Sequence, residues 1–395
     1  MMAPATARTN GVDREGWGMS ALQAEPVAND VDAPTTARIS ADVCNEWSWA
    51  ASHAKIPQLL DIQVEVSSTI ADARLTVTLT DDDRVIGTET LLDGRIEQGA
   101  HTIPTAHVPL SAAFMAGLDE RRPAVCTLRL DSPTDGADQR HVLAEAAHQV
   151  DLLPRDLWLF YGDPRLSRRG LEEGRQGSDA EDRAFRGRLA QSLLASFVRP
   201  NSPIVADIAR ESAEIRGRDS RDPSFNAFQL GDPAAAAAAV EESVTAVYEA
   251  LQARRIVYSE PPPGWDYTKA GQRIREHETV ANAGLGTCMD TTVLMAAVLE
   301  HVGLHPTLIL VPGHIFVGYW RRDPQPSGRK PEWYPDLPVV DDGLRIRGLV
   351  ERHHVGVIET TTLTAGSRVG AKDARSAGRR ALETADWVKM IDVSA

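Results

Sequence analysis

With 395 residues, 42% of them hydrophobic, the chain is long enough to fill the cores of two or three domains. A formal net charge of −14 disfavours unspecific attraction to nucleic acid, so no direct nucleic-acid binding is expected. No segment reaches the roughly eighteen uninterrupted apolar residues of a membrane helix, and residues 1–30 lack the basic-then-apolar order of a secretion signal, so no membrane contact is expected. Cys44, Cys126 and Cys288 are odd in number, far apart and without metal-ligand spacing; they fit a reducing cytoplasm, and neither metal nor cofactor is expected.

Residues 1–42, rich in Ala, Thr, Pro, Asn and Asp, read as a disordered leader. A period of two then sets in: Ile62, Val64 and Val66, then Leu75, Val77 and Leu79, then Val85, Thr88 and Leu91. Further strands are predicted over 102–110, 124–130 and 142–152, separated by Asp-rich and Gly-containing turns. Short strands at this spacing predict an antiparallel immunoglobulin-like β-sandwich over 43–154, with nothing catalytic in it.

Beyond it, residues 155–395 are predicted to form a helical lead-in and a second, catalytic domain. Helices are predicted over 185–198, 204–215 and 234–251, the last on Val240, Val244, Val247, Tyr248 and Leu251 at three- and four-residue spacing. Residues 254–272, with Pro261-Pro262-Pro263-Gly264-Trp265, read as an extended groove wall. Residues 339–359 read as the last strands, and 367–389 as a basic terminal helix. The basic stretches 165–175 and 368–380 read as solvated faces.

The chemistry concentrates in 286–320, GTCMDTTVLMAAVLEHVGLHPTLILVPGHIFVGYW. Cys288 follows Gly-Thr and opens an apolar run at helical spacing that Gly303 stops, which puts the sulfur at a helix N-terminus. Unpaired backbone N–H groups and the positive end of the macrodipole stabilise an anion there, and the thiolate is the nucleophilic form. A β-branched run, 307–311, and an alternating run, 315–320, flank Pro312-Gly313-His314, so His314 begins a strand that can hold its imidazole against the thiol. The plain alternatives are a core cysteine and a strand-end histidine bonded to backbone; Cys44 and Cys126 take that plain reading. Asp290, in the first helical turn, is assigned to the helix N-terminus and not to chemistry. A zinc site from His301, His305, His353 and His354 is disfavoured because Gly303 breaks the helix between the first two.

A cysteine heading a buried helix, then two strands with a histidine starting the second, resembles the transglutaminase-like branch of the papain-type cysteine hydrolases. That resemblance implies a third member, an acid followed by threonine on a later strand, which Val355-Gly356-Val357-Ile358-Glu359-Thr360-Thr361 supplies. The matched residues are Cys288, His314 and Glu359, with Glu in place of the usual Asp; Asp341 and Asp342 are the runner-up acids. Acyl transfer also needs oxyanion donors, for which the Cys288 N–H and the Gln272 side chain are nominated.

The segments Ala195-Ser196-Phe197-Val198-Arg199-Pro200-Asn201, Ile256-Val257-Tyr258 with Pro261-Pro262-Pro263, Gly271-Gln272-Arg273-Ile274-Arg275 and Gly286-Thr287-Cys288-Met289-Asp290 resemble the N-terminal part of large bacterial proteins in which such a module precedes helicase and nuclease parts. No phosphate-binding G-x-x-x-x-G-K-[ST] loop lies in this sequence, which reads as a short stand-alone relative or as the N-terminal part of something longer. The fold class expected is therefore α+β: the immunoglobulin-like β-sandwich followed by a transglutaminase-like, papain-like α+β domain. The resemblance implies hydrolysis of an amide or isopeptide bond in a protein or peptide through a Cys-His-Glu triad, with helicase or nuclease components of the same system as partners. The alternatives are a non-catalytic protein-binding module and an acyltransferase with an amine acceptor; peptide or isopeptide cleavage is preferred to cross-linking.

Overall fold

The alternation of Ile62, Val64 and Val66 comes out as a strand whose apolar residues point inward and whose polar residues point out. The structure, a computed structural model, describes residues 35–133, 139–159, 178–219, 222–259, 271–324 and 331–394. Eight strands make the first part: β1 (Ala37–Val43), β2 (Glu46–Trp47), β3 (Leu59–Val66), β4 (Ile70–Asp81), β5 (Arg84–Ile96), β6 (Gly99–Ile103), β7 (Arg122–Pro133) and β8 (Arg140–Leu152). They form a three-stranded sheet in the order β1-β3-β6 and a five-stranded sheet in the order β2-β8-β7-β4-β5. All pairings are antiparallel except β2 with β8. The inward residues of both sheets share one apolar core, from Ile62 and Val64 to Val77, Leu128 and Cys126.

Two details correct the sequence reading of this part. β1 begins at Ala37, inside the stretch expected to be leader, because it pairs residue by residue with β3, a non-local partner that composition cannot reveal. The strand expected over 102–110 ends at Ile103, and residues 104–110 meet the sheets at the isolated bridges Leu59–Ala106 and Gly87–Leu110.

The second part carries β9 (Leu157–Leu159), β10 (Val257–Tyr258), β11 (Gly271–Arg273), β12 (Leu285–Gly286), β13 (Pro306–Val311), β14 (His314–Trp320), β15 (Val339–Val340), β16 (Val355–Ile358) and β17 (Lys389–Asp392). Five of them form an antiparallel sheet in the order β15-β17-β13-β14-β16. Both of its faces are covered, which is why β13 and β14 read as continuous apolar runs. Leu308, Leu310, Ile315 and Val317 join the core of the helices Cys288–His301, Pro233–Ala253 and Pro203–Asp219. Ile309, Val311, Phe316 and Trp320 join a second core with the helix Gly343–Glu351. The molecule is thus α+β, with an antiparallel sandwich and a separate sheet flanked by helices.

Here too the sequence reading needs correction. The helix expected over 185–198 spans Asp179–Ser192 and tightens into a 3-10 turn, Leu193–Phe197. Residues 339–359, expected as strands, contain the helix Gly343–Glu351. The terminal helix is Ala371–Thr384, and the chain then returns as β17 into the sheet interior. Arg375 is not a solvated charge: it bonds the Tyr319 hydroxyl at 3.0 Å and the Glu241 carbonyl at 2.8 Å. The expected groove wall around Pro261 and Trp265 and the basic stretch 165–175 lie outside the described residues. No helix of the described residues is long and apolar enough to cross a membrane.

Candidate active site

Cys288 is the first residue of its helix, as the spacing predicts. Thr287 caps it: its side chain accepts from the Asp290 N–H, and Asp290 accepts in return from the Thr287 N–H at 2.9 Å. This reciprocal cap fixes the first turn and so the direction of the thiol. Asp290 is fully buried and also holds Arg275, by the backbone N–H at 2.8 Å and by the guanidinium at 2.7 Å. It therefore clamps the Gly271–Arg275 segment to the helix that begins with Cys288, a role beyond the helix N-terminus to which sequence reasoning assigned it.

His314 is set by a two-residue hairpin, Pro312-Gly313, in which Gly313 adopts φ +69° and Val311 pairs with His314. Only glycine takes that backbone without strain, and the turn makes His314 the first residue of β14. Its Nε2 lies 2.8 Å from Glu359 Oε2. Cys288 is its other charged neighbour, close enough to raise the ring. With Nε2 committed to the carboxylate, Nδ1 is the nitrogen left to face the sulfur. Glu359 follows β16 directly, and its other oxygen accepts from the Thr361 N–H at 2.9 Å and the Thr361 hydroxyl at 2.7 Å. The carboxylate is thus held on both oxygens and presented to the ring.

The electrostatics follow from the geometry. Burial opposes charge on His314, but hydrogen bonds to Cys288 and Glu359 and their negative charges outweigh it and push the imidazole up to about 10. Burial likewise raises Glu359, yet the His314 hydrogen bond and positive charge, with the Thr361 bonds, hold it below the usual carboxylate range. The site favours an imidazolium against the Glu359 carboxylate.

Gln272 is buried in β11, paired with Trp158 of β9, and among the described residues its amide makes no hydrogen bond. The Asp290–Arg275 clamp brings its segment to the helix that carries Cys288. The runner-up acids are used elsewhere: Asp342 caps the helix Gly343–Glu351 and Asp341 pairs with Arg188 at 3.3 Å. Three of the four histidines weighed for zinc have other neighbours. His301 bonds the Pro200 carbonyl, His305 stacks on Phe228 and His354 on Trp333.

A cavity of about 580 Å³ lies elsewhere, between two short helices of the first part, Trp49–His53 and Ala112–Ala116, and the segments at Arg199 and Glu276, and none of Cys288, His314 or Glu359 lines it. In its wall His277 accepts from the Arg199 N–H; burial and the Arg199 charge lower it to about 4, so it stays neutral.

No protein-family model and no curated protein matches this chain.

Proposed function

We propose that the chain is a cysteine hydrolase of the transglutaminase-like type, with an immunoglobulin-like sandwich ahead of the catalytic domain. The observation that carries this reading is the His314–Glu359 contact of 2.8 Å, on a ring whose other charged neighbour is a helix-heading cysteine. Cysteine, base and orienting acid in that arrangement suit attack on an amide carbonyl.

In the proposed cycle the Cys288 thiolate attacks the carbonyl carbon, and the oxygen takes the electron pair. The Cys288 N–H and the Gln272 amide donate to that oxyanion. Collapse breaks the C–N bond as the His314 imidazolium gives its proton to the departing amine, leaving a thioester on Cys288 and a neutral imidazole. That imidazole takes a proton from water, whose oxygen attacks the thioester; a carboxylic acid leaves and thiolate and imidazolium are restored. Glu359 keeps the ring in place and stabilises its charged form throughout. Cys288 is only partly buried, so water can reach the acyl carbon, as hydrolysis requires.

The substrate class proposed is a peptide or isopeptide bond in a protein, and helicase or nuclease components of one system are the proposed partners. Three cysteines in no disulfide support a reducing, cytoplasmic setting. The test is acid quench within milliseconds of mixing with p-nitrophenyl acetate, followed by peptide mapping. An acetyl thioester on Cys288, absent in His314→Ala, is the expected result; an unlabelled Cys288 would overturn the proposal.

A further inference from the structure

Several helical serines and threonines of the described residues satisfy their hydroxyls on their own helix. Ser212, Ser243 and Thr245 each donate to the carbonyl four residues back, and so does Thr291, to Thr287 at 3.0 Å. Such back-bonding is the ordinary outcome for these residue types. Thr292, the next residue of the Cys288 helix, does otherwise. Its Oγ1 lies 3.3 Å from the Ile315 carbonyl oxygen and 2.7 Å from Thr360 Oγ1. Thr292 and Thr360 are both fully buried. One arrangement of protons serves all three atoms: Thr360 donates to Thr292, and Thr292 donates to the Ile315 carbonyl.

The partners are informative because of where they stand. Ile315 follows His314 and Thr360 follows Glu359. The β14–β16 ladder pairs Trp320 with Val355 through to Val317 with Ile358, and then stops. Continued in the same register, it would set Phe316 opposite Glu359 and Ile315 opposite Thr360. The two strands therefore part before they reach the residues that carry the imidazole and the carboxylate. At the very rung where Ile315 would have met Thr360, the Thr292 hydroxyl stands between them, contributed by the helix that begins with Cys288.

We infer that Thr292 is a positioning residue of the site: with Thr360 it replaces a missing rung between β14 and β16 and fixes the His314 and Glu359 ends of those strands to each other and to the helix of Cys288. Thr292 touches no reacting atom in this role. It acts through the separation of His314 and Glu359 and through their register against the thiol. This rests on the cysteine-hydrolase reading, and the test separates the two.

The test is the pH profile of Cys288 alkylation by iodoacetamide, followed by mass spectrometry, in wild type, His314→Ala, Thr292→Val, Thr292→Ser and the double variant Thr292→Val/Thr360→Val. Valine keeps the volume of threonine and removes only the hydroxyl. Alkylation of Thr292→Val at pH 6 should slow by about tenfold or more, since small misplacements of catalytic groups have effects of that order. Thr292→Ser, which keeps the hydroxyl, should stay within about threefold of wild type and covers the case in which the valine variant fails to fold. In the double variant no hydroxyl is left unpaired and only the Ile315 carbonyl lacks its donor, so its melting temperature should recover part of the way toward wild type while its alkylation profile stays altered. A wild-type profile in Thr292→Val, or a profile that recovers together with the melting temperature in the double variant, overturns the inference. A wild-type thiol indifferent to His314→Ala would instead sink the hydrolase reading itself.

Discussion

Cys126 and Cys288 are the same residue type in two regions that treat polar groups in opposite ways. Cys126 sits in the middle of β7 with its side chain wholly inside the sandwich core, and burial alone pushes its thiol up to about 12. Cys288 heads a helix, is partly exposed and faces a charged ring. The neighbourhoods differ in the same sense. The sandwich core is filled by side chains such as Val77, Leu79, Leu128 and Leu130, and its buried acids, Asp81 and Asp131, are met by arginines at its margin. In the second region the polar groups go inward: Asp290, Thr291, Thr292 and Thr360 surround the start of the Cys288 helix and are all about fully buried. Buried polar groups are costly unless each has its partners, so such a cluster specifies one arrangement of strands and helix where an apolar core would tolerate several.

The sharpest way to break this comparison is to remove the sulfur that distinguishes the regions. Cys288→Ala should abolish acyl-enzyme formation and amide hydrolysis and leave the melting temperature within a few degrees, because Ala satisfies the same helix start. Native chain treated with iodoacetamide at pH 6 should take up one label, at Cys288, with Cys44 and Cys126 untouched in the core. Residual turnover at the wild-type rate in the variant would remove Cys288 from the chemistry.

Next in size is the loss of the ring. His314→Ala should lower turnover by about a thousandfold or more and slow alkylation at pH 6, whereas Glu359→Gln, which acts on the ring and not on sulfur, should cost less. The imidazole, held up to about 10 by Cys288 and Glu359 against the cost of burial, has a pH signature. A group whose folded value lies above its unfolded one favours the folded state fully below the unfolded value, near 6.5, and loses that contribution as pH climbs through the folded value. The melting temperature of wild type minus that of His314→Gln should therefore shrink steadily from about pH 6.5 to about 10. The ring's carbon-bound proton should keep its chemical shift from pH 6 to 8 in NMR; a titration midpoint near 6.5 would show an imidazole without its two partners.

How much could be read from residues alone depends on the locality of the signal. The cap Thr287, the apolar run and the stop at Gly303 are contiguous, as are Pro312-Gly313 and the runs around it, so both Cys288 and His314 could be placed. Leu344-Arg345-Ile346-Arg347 misleads, because apolar and basic residues alternate as in a strand. What decides is Asp342, whose side chain accepts from the Leu344 and Arg345 N–H groups and starts a helix that buries Ile346, Leu349 and Val350. β17 is four residues long and owes its place to β13 and β15, neither adjacent in sequence. Thr292 carries no local mark at all, since only the register of β14 against β16 gives its hydroxyl a purpose.

Asp290 tests whether the buried polar cluster holds the second region together. It accepts from the Thr287 N–H, the Arg275 N–H and the Arg275 guanidinium. Asp290→Asn would turn one acceptor into a donor facing those donors and leave buried groups unpaired, at a cost of about 3 kcal/mol. A urea midpoint shifted accordingly, with slope unchanged, is the expected outcome, and oxyanion support from Gln272 should weaken because its segment loses the clamp. A midpoint equal to wild type would mean that the first turn and the Gly271–Arg275 segment stand without it.

The smallest effect belongs to Arg273, two residues before Arg275, and it probes how far the two regions are independent. Its guanidinium reaches out to the sandwich side, to the Asp119 carbonyl at 2.8 Å and the Glu120 carboxylate at 3.1 Å, and to Asp156 at 3.1 Å. The Arg273 side chain is 44% exposed and that of Glu120 83%, so water and salt screen the pair. Arg273→Ala should cost at most about 1 kcal/mol, less in high salt, where Asp290→Asn should be indifferent to salt. Cys288 alkylation should keep its wild-type pH profile, because Gln272 is held from the other side by the Asp290 clamp. A slowed alkylation in Arg273→Ala would show that the sandwich, through this one guanidinium, sets the geometry of the thiol, and the contrast between an inert region and a reactive one would have to be redrawn as a single coupled unit.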